Sequence, residues 1–335
     1  MKGIAIAGFG RIGRSTLRYA LQKGLFCPRE ISDIKDPATL AALFKVDTNY
    51  GVWPGTVESD DGFFLVNGRT IDFINPKEEK LDWATLGLEV VIDCTGMATK
   101  RAGAQAHLDA GAKKVIVSAP SKSPEDCDAF ILPGINMGDY DPDKHHIISM
   151  ASCTTNALAP VIRVIRESGI GIESGQFTTV HAYTNSQSLT DQPMADRRDS
   201  WAAAENIIPS SSGAAKALGF IWPDLVGKIT GLAYRVPTRT VSVVELVFVP
   251  KKLMTKEEIN AIFKDSQHDA GLEGVMGVVT EEFASSRFIG EPLSSVVDLP
   301  LTQVIGNLVK VVAWYDNEWA YSARLAELAV YIANQ

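Results

Sequence analysis

The sequence predicts an α/β protein, with a doubly wound parallel sheet in its first half and a second, α+β domain built on a mostly antiparallel sheet. Three observations carry that prediction. Over the first half, short apolar runs alternate with segments of helical spacing, the pattern of βα units that feed a parallel sheet. A glycine-rich turn, Gly8-Phe9-Gly10-Arg11-Ile12-Gly13, joins the first such run to the first helical segment. Further on, residues 176–184, 241–250 and 308–315 form longer runs that are β-branched, aromatic or alternating, with helical segments between them.

Taken in order, Gly3-Ile4-Ala5-Ile6-Ala7 predicts the first strand, and residues 14–21 have the spacing of the helix after the turn. In that turn the first glycine permits the tight bend, the second lets a pyrophosphate approach the backbone, and the third lets the helix pack closely on the strand. Glu30-Ile31-Ser32-Asp33-Ile34 reads as a second strand ending in an acid. Asp36-Pro37 opens a second helix that runs to Val46, with proline at the first helical position. Residues 56–74 alternate around Asp60-Asp61-Gly62 and Asn67-Gly68, which predicts hairpins. Two apolar strands, residues 90–94 and 114–118, bracket a helix over residues 99–111.

In the second half, a polar turn leads into a helix whose apolar face is Leu158, Val161, Ile162 and Ile165 and which ends near Gly169. Thr255-Lys256-Glu257-Glu258 has the pattern of a capping box, and residues 318–334 form a terminal helix with Ala, Leu and Ile on one face.

With 335 residues, 46% of them hydrophobic, the chain can bury a large core and divide into two domains. No apolar stretch has the length of a membrane span, and the N-terminus runs directly into the first strand, so secretion and membrane association are not expected. The four cysteines, Cys27, Cys94, Cys127 and Cys153, form no CxxC pair, which suits neither a zinc site nor a disulfide framework. No metal is expected, and a reducing cytoplasm is the natural compartment. A formal charge of -8 argues against nucleic acid as a partner, while leaving room for a local anion pocket.

Two patterns carry chemistry. Gly8, Gly10 and Gly13 form GxGxxG between strand and helix, and Asp33 lies twenty residues after Gly13, where a carboxylate can accept hydrogen bonds from a ribose diol. That context predicts a dinucleotide, and the acid favours NAD over NADP. The second pattern is Ala151-Ser152-Cys153-Thr154-Thr155-Asn156. A cysteine at a helix start meets unpaired N–H groups that stabilise a thiolate and can donate to an oxyanion. A buried, inert thiol is the plainer reading of such a residue, and the one that suits Cys94 and Cys127. His181, on the predicted strand 176–184, would supply a base if it faced Cys153. Ser210-Ser211-Ser212-Gly213 and Arg235 have the hydroxyls and the cation that suit phosphate recognition, although hydroxyls and glycine are also ordinary loop residues.

Together these segments resemble the phosphorylating glyceraldehyde-3-phosphate dehydrogenase family over essentially the whole chain. The matching motifs are Gly8-Phe9-Gly10-Arg11-Ile12-Gly13-Arg14, Ser118-Ala119-Pro120-Ser121, Ser152-Cys153-Thr154-Thr155-Asn156, residues 178–184, Ile207-Ile208-Pro209, Gly213-Ala214-Ala215-Lys216-Ala217, Arg235-Val236-Pro237-Thr238 and Trp314-Tyr315-Asp316-Asn317-Glu318-Trp319. The resemblance implies a Rossmann-like NAD-binding domain at residues 1–150 and a catalytic domain at 151–316. It also implies a C-terminal helix at 317–335 that packs back on the first domain.

By the same resemblance, Cys153 attacks the aldehyde of glyceraldehyde 3-phosphate and His181 handles its proton. NAD then takes a hydride, and inorganic phosphate releases the thioester as an acyl phosphate, 1,3-bisphosphoglycerate. Thr184 and Arg235 would hold the substrate's phosphate; Ser152, Thr154, Ser212, Gly213 and Arg198 would surround the attacking phosphate. Arg11, Ile12, Asp33, Ser118 and Asn317 match the family's cofactor contacts, with Asn317 orienting the nicotinamide amide. A homotetramer is implied, with residues 183–208 packing across subunits.

The chain departs from the family pattern at Ala7, Ser32 and Ile74 near the adenosine end, and at Gln192, where leucine is common. Trp201 stands where a second arginine usually lies beside the attacking phosphate. Arg239-Thr240 replaces proline-asparagine, Ala320 replaces a glycine, and Ala157 replaces a second cysteine. Two other readings use the same scaffold: an erythrose-4-phosphate dehydrogenase, and a non-catalytic binding protein.

Overall fold

A computed structural model describes residues 2–60, 62–121 and 123–335; Asp61, in the first of the expected hairpin turns, lies outside the described residues. The chain divides into two compact units, Met1–Ala151 with Tyr321–Gln335, and Ser152–Ala320.

The first unit holds β1 (Gly3–Ala7), α1 (Arg11–Gln22), β2 (Glu30–Ser32), α2 (Pro37–Lys45), the small ribbon β3 (Val46–Asp47) and β4 (Gly51–Val52), then β5 (Val57–Asp60), β6 (Phe63–Val66) and β7 (Arg69–Ile74). It continues through β8 (Leu88–Asp93), α3 (Arg101–Asp109), β9 (Lys114–Val117), β10 (Ala129–Phe130) and β11 (Ile147–Ser149). Nine strands form one sheet in the order β10-β11-β9-β8-β1-β2-β7-β6-β5. From β10 to β7 all pairs are parallel, and β7-β6-β5 is an antiparallel edge. Ile4, Ile6, Ile31, Val91, Ile92, Val115 and Ile116 are buried, which is why these strands read as unbroken apolar runs: a parallel sheet is covered on both faces. The turn between β6 and β7 has Asn67 at φ 52° and Gly68 at φ 75°, the left-handed pair that a two-residue hairpin demands.

Strand order reverses at β1. The chain first moves outward through β2 and β7, then returns to place β8 on the other side of β1, so the carboxyl ends of β1 and β8 flank the crevice where ligands bind in open α/β sheets.

The second unit holds α4 (Cys153–Glu167), β12 (Ile172–Ala182), β13 (Ile208–Ser211), α5 (Ala214–Ile221), β14 (Ile229–Val236), β15 (Ser242–Pro250), α6 (Lys256–Ser266), β16 (Met276–Val279), β17 (Ser295–Asp298), β18 (Gln303–Ile305) and β19 (Leu308–Tyr315). Seven of the strands run in the order β13-β14-β12-β15-β19-β17-β16, with β18 beside β19. Pairing is antiparallel except for β12/β14 and β16/β17. The face of α4 bearing Leu158, Val161, Ile162 and Ile165 is buried, and the helix packs on β12, β15, β17 and β19.

The last helix, α7 (Trp319–Ala333), starts in the second unit and belongs to the first from Tyr321 onward. Tyr321 OH donates to Ala151 O at 2.8 Å, and Tyr19 OH donates to Glu327 Oε1 at 3.0 Å. Leu325, Ala326, Leu328 and Ala329 are fully buried, so the apolar face read from the sequence has its partner in the first unit.

Candidate active site

The site begins at a backbone turn. Ala151 has φ 56°, a left-handed conformation that turns the chain sharply out of β11, and Ser152 then caps α4 by accepting the Thr155 N–H at 3.1 Å. Cys153 is therefore the first helical residue, beside N–H groups that have no partner within the helix. His181, on β12, is buried, and its Nε2 lies 3.3 Å from Cys153 Sγ. Parallel pairing of β12 with β14 sets Arg235 directly beside His181, with Arg235 Nη1 2.7 Å from His181 Nδ1. The structure thus brings together the thiol, the imidazole and the guanidinium singled out in the sequence.

The electrostatics differ from the expectation raised by the helix start alone. Burial pushes the Cys153 thiol up, against the pull of the Arg235 cation and the Thr154 hydrogen bonds. Burial and then Arg235 push His181 down to about 3, outweighing its contact with the Ala182 carbonyl. Desolvation thus disfavours the charged form of each group taken by itself, so the pocket favours keeping the pair's net charge unchanged. Passing the proton from sulfur to Nε2 as a carbonyl is attacked creates no net charge in the pocket.

His181 Nδ1 also lies 2.6 Å from Ala182 O. As an N–H it donates to that carbonyl and leaves Nε2 free to accept the thiol proton; as a lone pair it accepts from Arg235 and puts the proton on Nε2. Arg235 and Ala182 therefore compete for the tautomer.

A chain of hydroxyls lies behind the thiol. Thr179 Oγ1 donates to Val243 O at 3.1 Å and meets Tyr315 OH at 2.8 Å, while Tyr315 OH meets Thr154 Oγ1 at 3.0 Å. With the Thr179 proton committed to a carbonyl, Tyr315 donates to Thr179 and accepts from Thr154. The Tyr315 ring stands edge-on to His181, with centroids 5.9 Å apart. Neither Tyr315 nor Thr179 was picked out from the sequence. Thr179 could have been, since it lies two residues before His181 on the same face of the strand; nothing local marks Tyr315.

The remaining phosphate candidates are spread over several loops. Thr184 follows β12 and is held by Gln187, whose Nε2 donates to Asp199 Oδ1 at 3.0 Å. Ser212 Oγ accepts from Ala214 N at 3.4 Å, and Gly213 stands at the start of α5. Arg198 is exposed; its backbone N–H donates to Asp196, and no hydrogen bond joins its side chain to the other candidates. Trp201 is 56% exposed. Asn317 is buried, with Oδ1 accepting from Ser242 Oγ at 3.0 Å.

In the first unit the glycine turn is shaped by its neighbours. Gly8 has φ 85°, and a Cβ there would lie 2.7 Å from Cys94 C and Thr95 N, the loop after β8. A Cβ on Gly13 would strike the Gly8 carbonyl oxygen, whereas one on Gly10, at the N-terminus of α1, would enter open space. Asp33 spans the turn, its Oδ2 accepting from Phe9 N at 2.6 Å and its Oδ1 from Lys35 N at 2.9 Å, so each oxygen keeps a further lone pair for a diol. Arg11 donates to both oxygens of Asp47, at 2.6 and 3.3 Å. Burial works to raise the Asp47 carboxyl, but Arg11 and the N–H groups of Asn49 and Tyr50 outweigh it and hold the group below the usual carboxylate range. Ile12 lies in the first turn of α1. Ser118 follows β9 and donates its N–H to Asp93 O at 2.9 Å. Ile74 is paired with Ser32 across β7 and β2, and its carbonyl accepts from Asp33 N at 3.1 Å. Burial raises the Cys94 thiol to about 12, in keeping with an inert residue. The open face at Gly10, the helix N-terminus behind it and the acceptors on Asp33 fit a dinucleotide.

Comparison with known proteins decides the family. Residues 2–101 match the family described as glyceraldehyde 3-phosphate dehydrogenase, NAD binding domain, and residues 152–317 match that described as glyceraldehyde 3-phosphate dehydrogenase, C-terminal domain. The chain belongs to the glyceraldehyde-3-phosphate dehydrogenase family. It is 44% identical over 335 residues to a glyceraldehyde-3-phosphate dehydrogenase of Streptomyces coelicolor, covering 99% of this chain and 98% of that protein. It is 45% identical over 334 residues to that of Geobacillus stearothermophilus, with the same coverage. Glyceraldehyde-3-phosphate dehydrogenase 1 of Bacillus subtilis is 44% identical over 334 residues, again with 99% and 98% covered. As a member of this family the protein takes NAD as its cofactor.

Proposed function

We propose that the protein oxidises glyceraldehyde 3-phosphate to 1,3-bisphosphoglycerate with NAD and inorganic phosphate, through an acylated Cys153. The observation that carries this reading is the 3.3 Å approach of Cys153 Sγ to His181 Nε2 at the start of α4, with Arg235 beside the imidazole. Cys153 Sγ bonds to the aldehyde carbon while the thiol proton passes to His181 Nε2. The unpaired N–H groups at the helix start receive the oxyanion of the thiohemiacetal. Arg235 and Thr184 hold the phosphate on the substrate's third carbon, and a guanidinium drawn onto that dianion leaves His181 Nδ1 to the Ala182 carbonyl, which favours the tautomer that can act as base.

NAD, when bound, supplies the hydride acceptor. Gly8, Gly10, Arg11, Ile12, Gly13, Asp33 and Ser118 are assigned to holding it, with Asn317 at the nicotinamide end. Oxidation of the thiohemiacetal leaves a thioester on Cys153. Inorganic phosphate, held by Ser152, Thr154, Ser212, Gly213 and Arg198, bonds to the thioester carbon, the C–S bond breaks, and the sulfur leaves as a thiolate that regains its proton from His181.

A homotetramer acting in the cytoplasm completes the proposal. It is supported by exposed Leu189, Met194, Trp201 and Ile207 in one segment, and among the described residues no helix is long and apolar enough to cross a membrane. The test is NADH formation from NAD, phosphate and either triose or tetrose phosphate. Faster turnover of the triose is expected, and Cys153→Ser should abolish it while NAD still binds. Faster turnover of erythrose 4-phosphate would move the assignment to that substrate, and undiminished activity in Cys153→Ser would reject the thioester.

A further inference from the structure

Ser242 opens β15 and is 1% exposed, so its hydroxyl must find partners inside the protein. It has two. Ser242 Oγ accepts from the Ala182 N–H at 3.1 Å, one residue after the imidazole, and donates to Asn317 Oδ1 at 3.0 Å. The Ala182 amide can only donate, which makes the serine oxygen an acceptor there and leaves its single proton for Asn317.

That proton decides which way the Asn317 amide faces. Oδ1 is committed to Ser242, and Nδ2 on the opposite side makes no hydrogen bond to any described residue. The backbone under it is equally fixed: Asp316 accepts from Glu318 N and Trp319 N at 3.0 Å each, from Gly290 N at 2.9 Å, and from Thr240 Oγ1 at 2.9 Å. Without Ser242, the two orientations of the amide would differ only in what a ligand offers them.

We propose that Ser242 is a positioning residue that locks Asn317 with its NH2 outward, so that the site selects a cofactor end bearing a carbonyl acceptor, the carboxamide oxygen of nicotinamide. This rests on the assignment of Asn317 to the nicotinamide. Ser242 acts on the cofactor through Asn317 and on the imidazole strand through Ala182, linking the two by one hydroxyl.

The test compares equilibrium binding of NAD with that of ADP-ribose, which lacks the nicotinamide, for the parent and for Ser242→Ala, Ser242→Cys, Ser242→Thr and Asn317→Ala. Ser242→Ala should weaken NAD by about tenfold, the scale of one buried hydrogen bond, and leave ADP-ribose unchanged. Ser242→Cys, nearly isosteric but a weak donor, should show the same selective loss and serves if the alanine variant fails to fold; Ser242→Thr should restore the parental ratio. A purely structural role would weaken both ligands together. An unchanged NAD to ADP-ribose ratio in the serine variants, with the ratio lost in Asn317→Ala, would overturn the proposal alone. If Asn317→Ala also keeps the ratio, the nicotinamide assignment falls and the proposal with it.

Discussion

At His181, two groups contend for one nitrogen. Arg235 Nη1 at 2.7 Å and Ala182 O at 2.6 Å cannot both be satisfied by the same tautomer of Nδ1. The cation also lowers the thiol and the imidazole beside it, so its removal should raise both. Arg235→Leu is therefore expected to move the midpoint of Cys153 alkylation by iodoacetamide to higher pH and to slow the reaction at neutral pH. A midpoint that moved downward would mean that Arg235 acts on the pair by some means other than its charge. Ala157, on the first turns of the same helix as Cys153, is fully buried, and among the described residues no other cysteine is hydrogen-bonded to Cys153.

At the level of elements, β2 carries an unexpected cost. Glu30 is 4% exposed, sits opposite Asp72 in the β2/β7 register, and leaves Oε1 without a partner. Burial, with Asp72 and Glu79 adding repulsion, raises its carboxyl to about 7. A carboxyl whose pKa is raised on folding stabilises the native state fully below the ordinary carboxylate range, and that contribution is lost as pH rises through about 7. Glu30→Gln should thus match the parent near pH 4 and exceed it at pH 8 by on the order of 3 kcal/mol, visible as a higher Tm. Equal Tm values at pH 8 would show that Glu30 is ionised and accommodated. Of the strand read at residues 30–34 the structure keeps Glu30–Ser32, with Ile34 47% exposed beyond it, and a short apolar run says nothing about the charge state of a carboxyl whose neighbours come from another strand.

For the whole molecule, Leu189 is 78% exposed, Ile207 69% and Trp201 56%, all in the segment assigned to subunit contacts. Apolar side chains gathered in this way mark an interaction surface. Ile207→Asp is expected to yield smaller species than the parent in sedimentation velocity; an unchanged distribution would remove this segment from the interface.

Features governed by near neighbours were legible in the chain itself. The GxGxxG turn, the Asn67-Gly68 hairpin, the helix start at Cys153 and the capping box at Thr255 each depend on φ angles and hydrogen bonds within a few residues. Periodicity likewise marked which strands are buried on both faces. The site's working geometry is of another kind. Cys153 meets His181 across 28 residues, Ser242 meets Asn317 across 75, and Thr154 meets Tyr315 across 161. No local pattern encodes such pairs, because strand order and register bring them together. Nor does composition report how far burial shifts a thiol or an imidazole, since desolvation depends on everything packed around the group. The chain alone therefore pointed to a thiol at a helix start; only the folded arrangement set an imidazole 3.3 Å from it in a desolvated pocket.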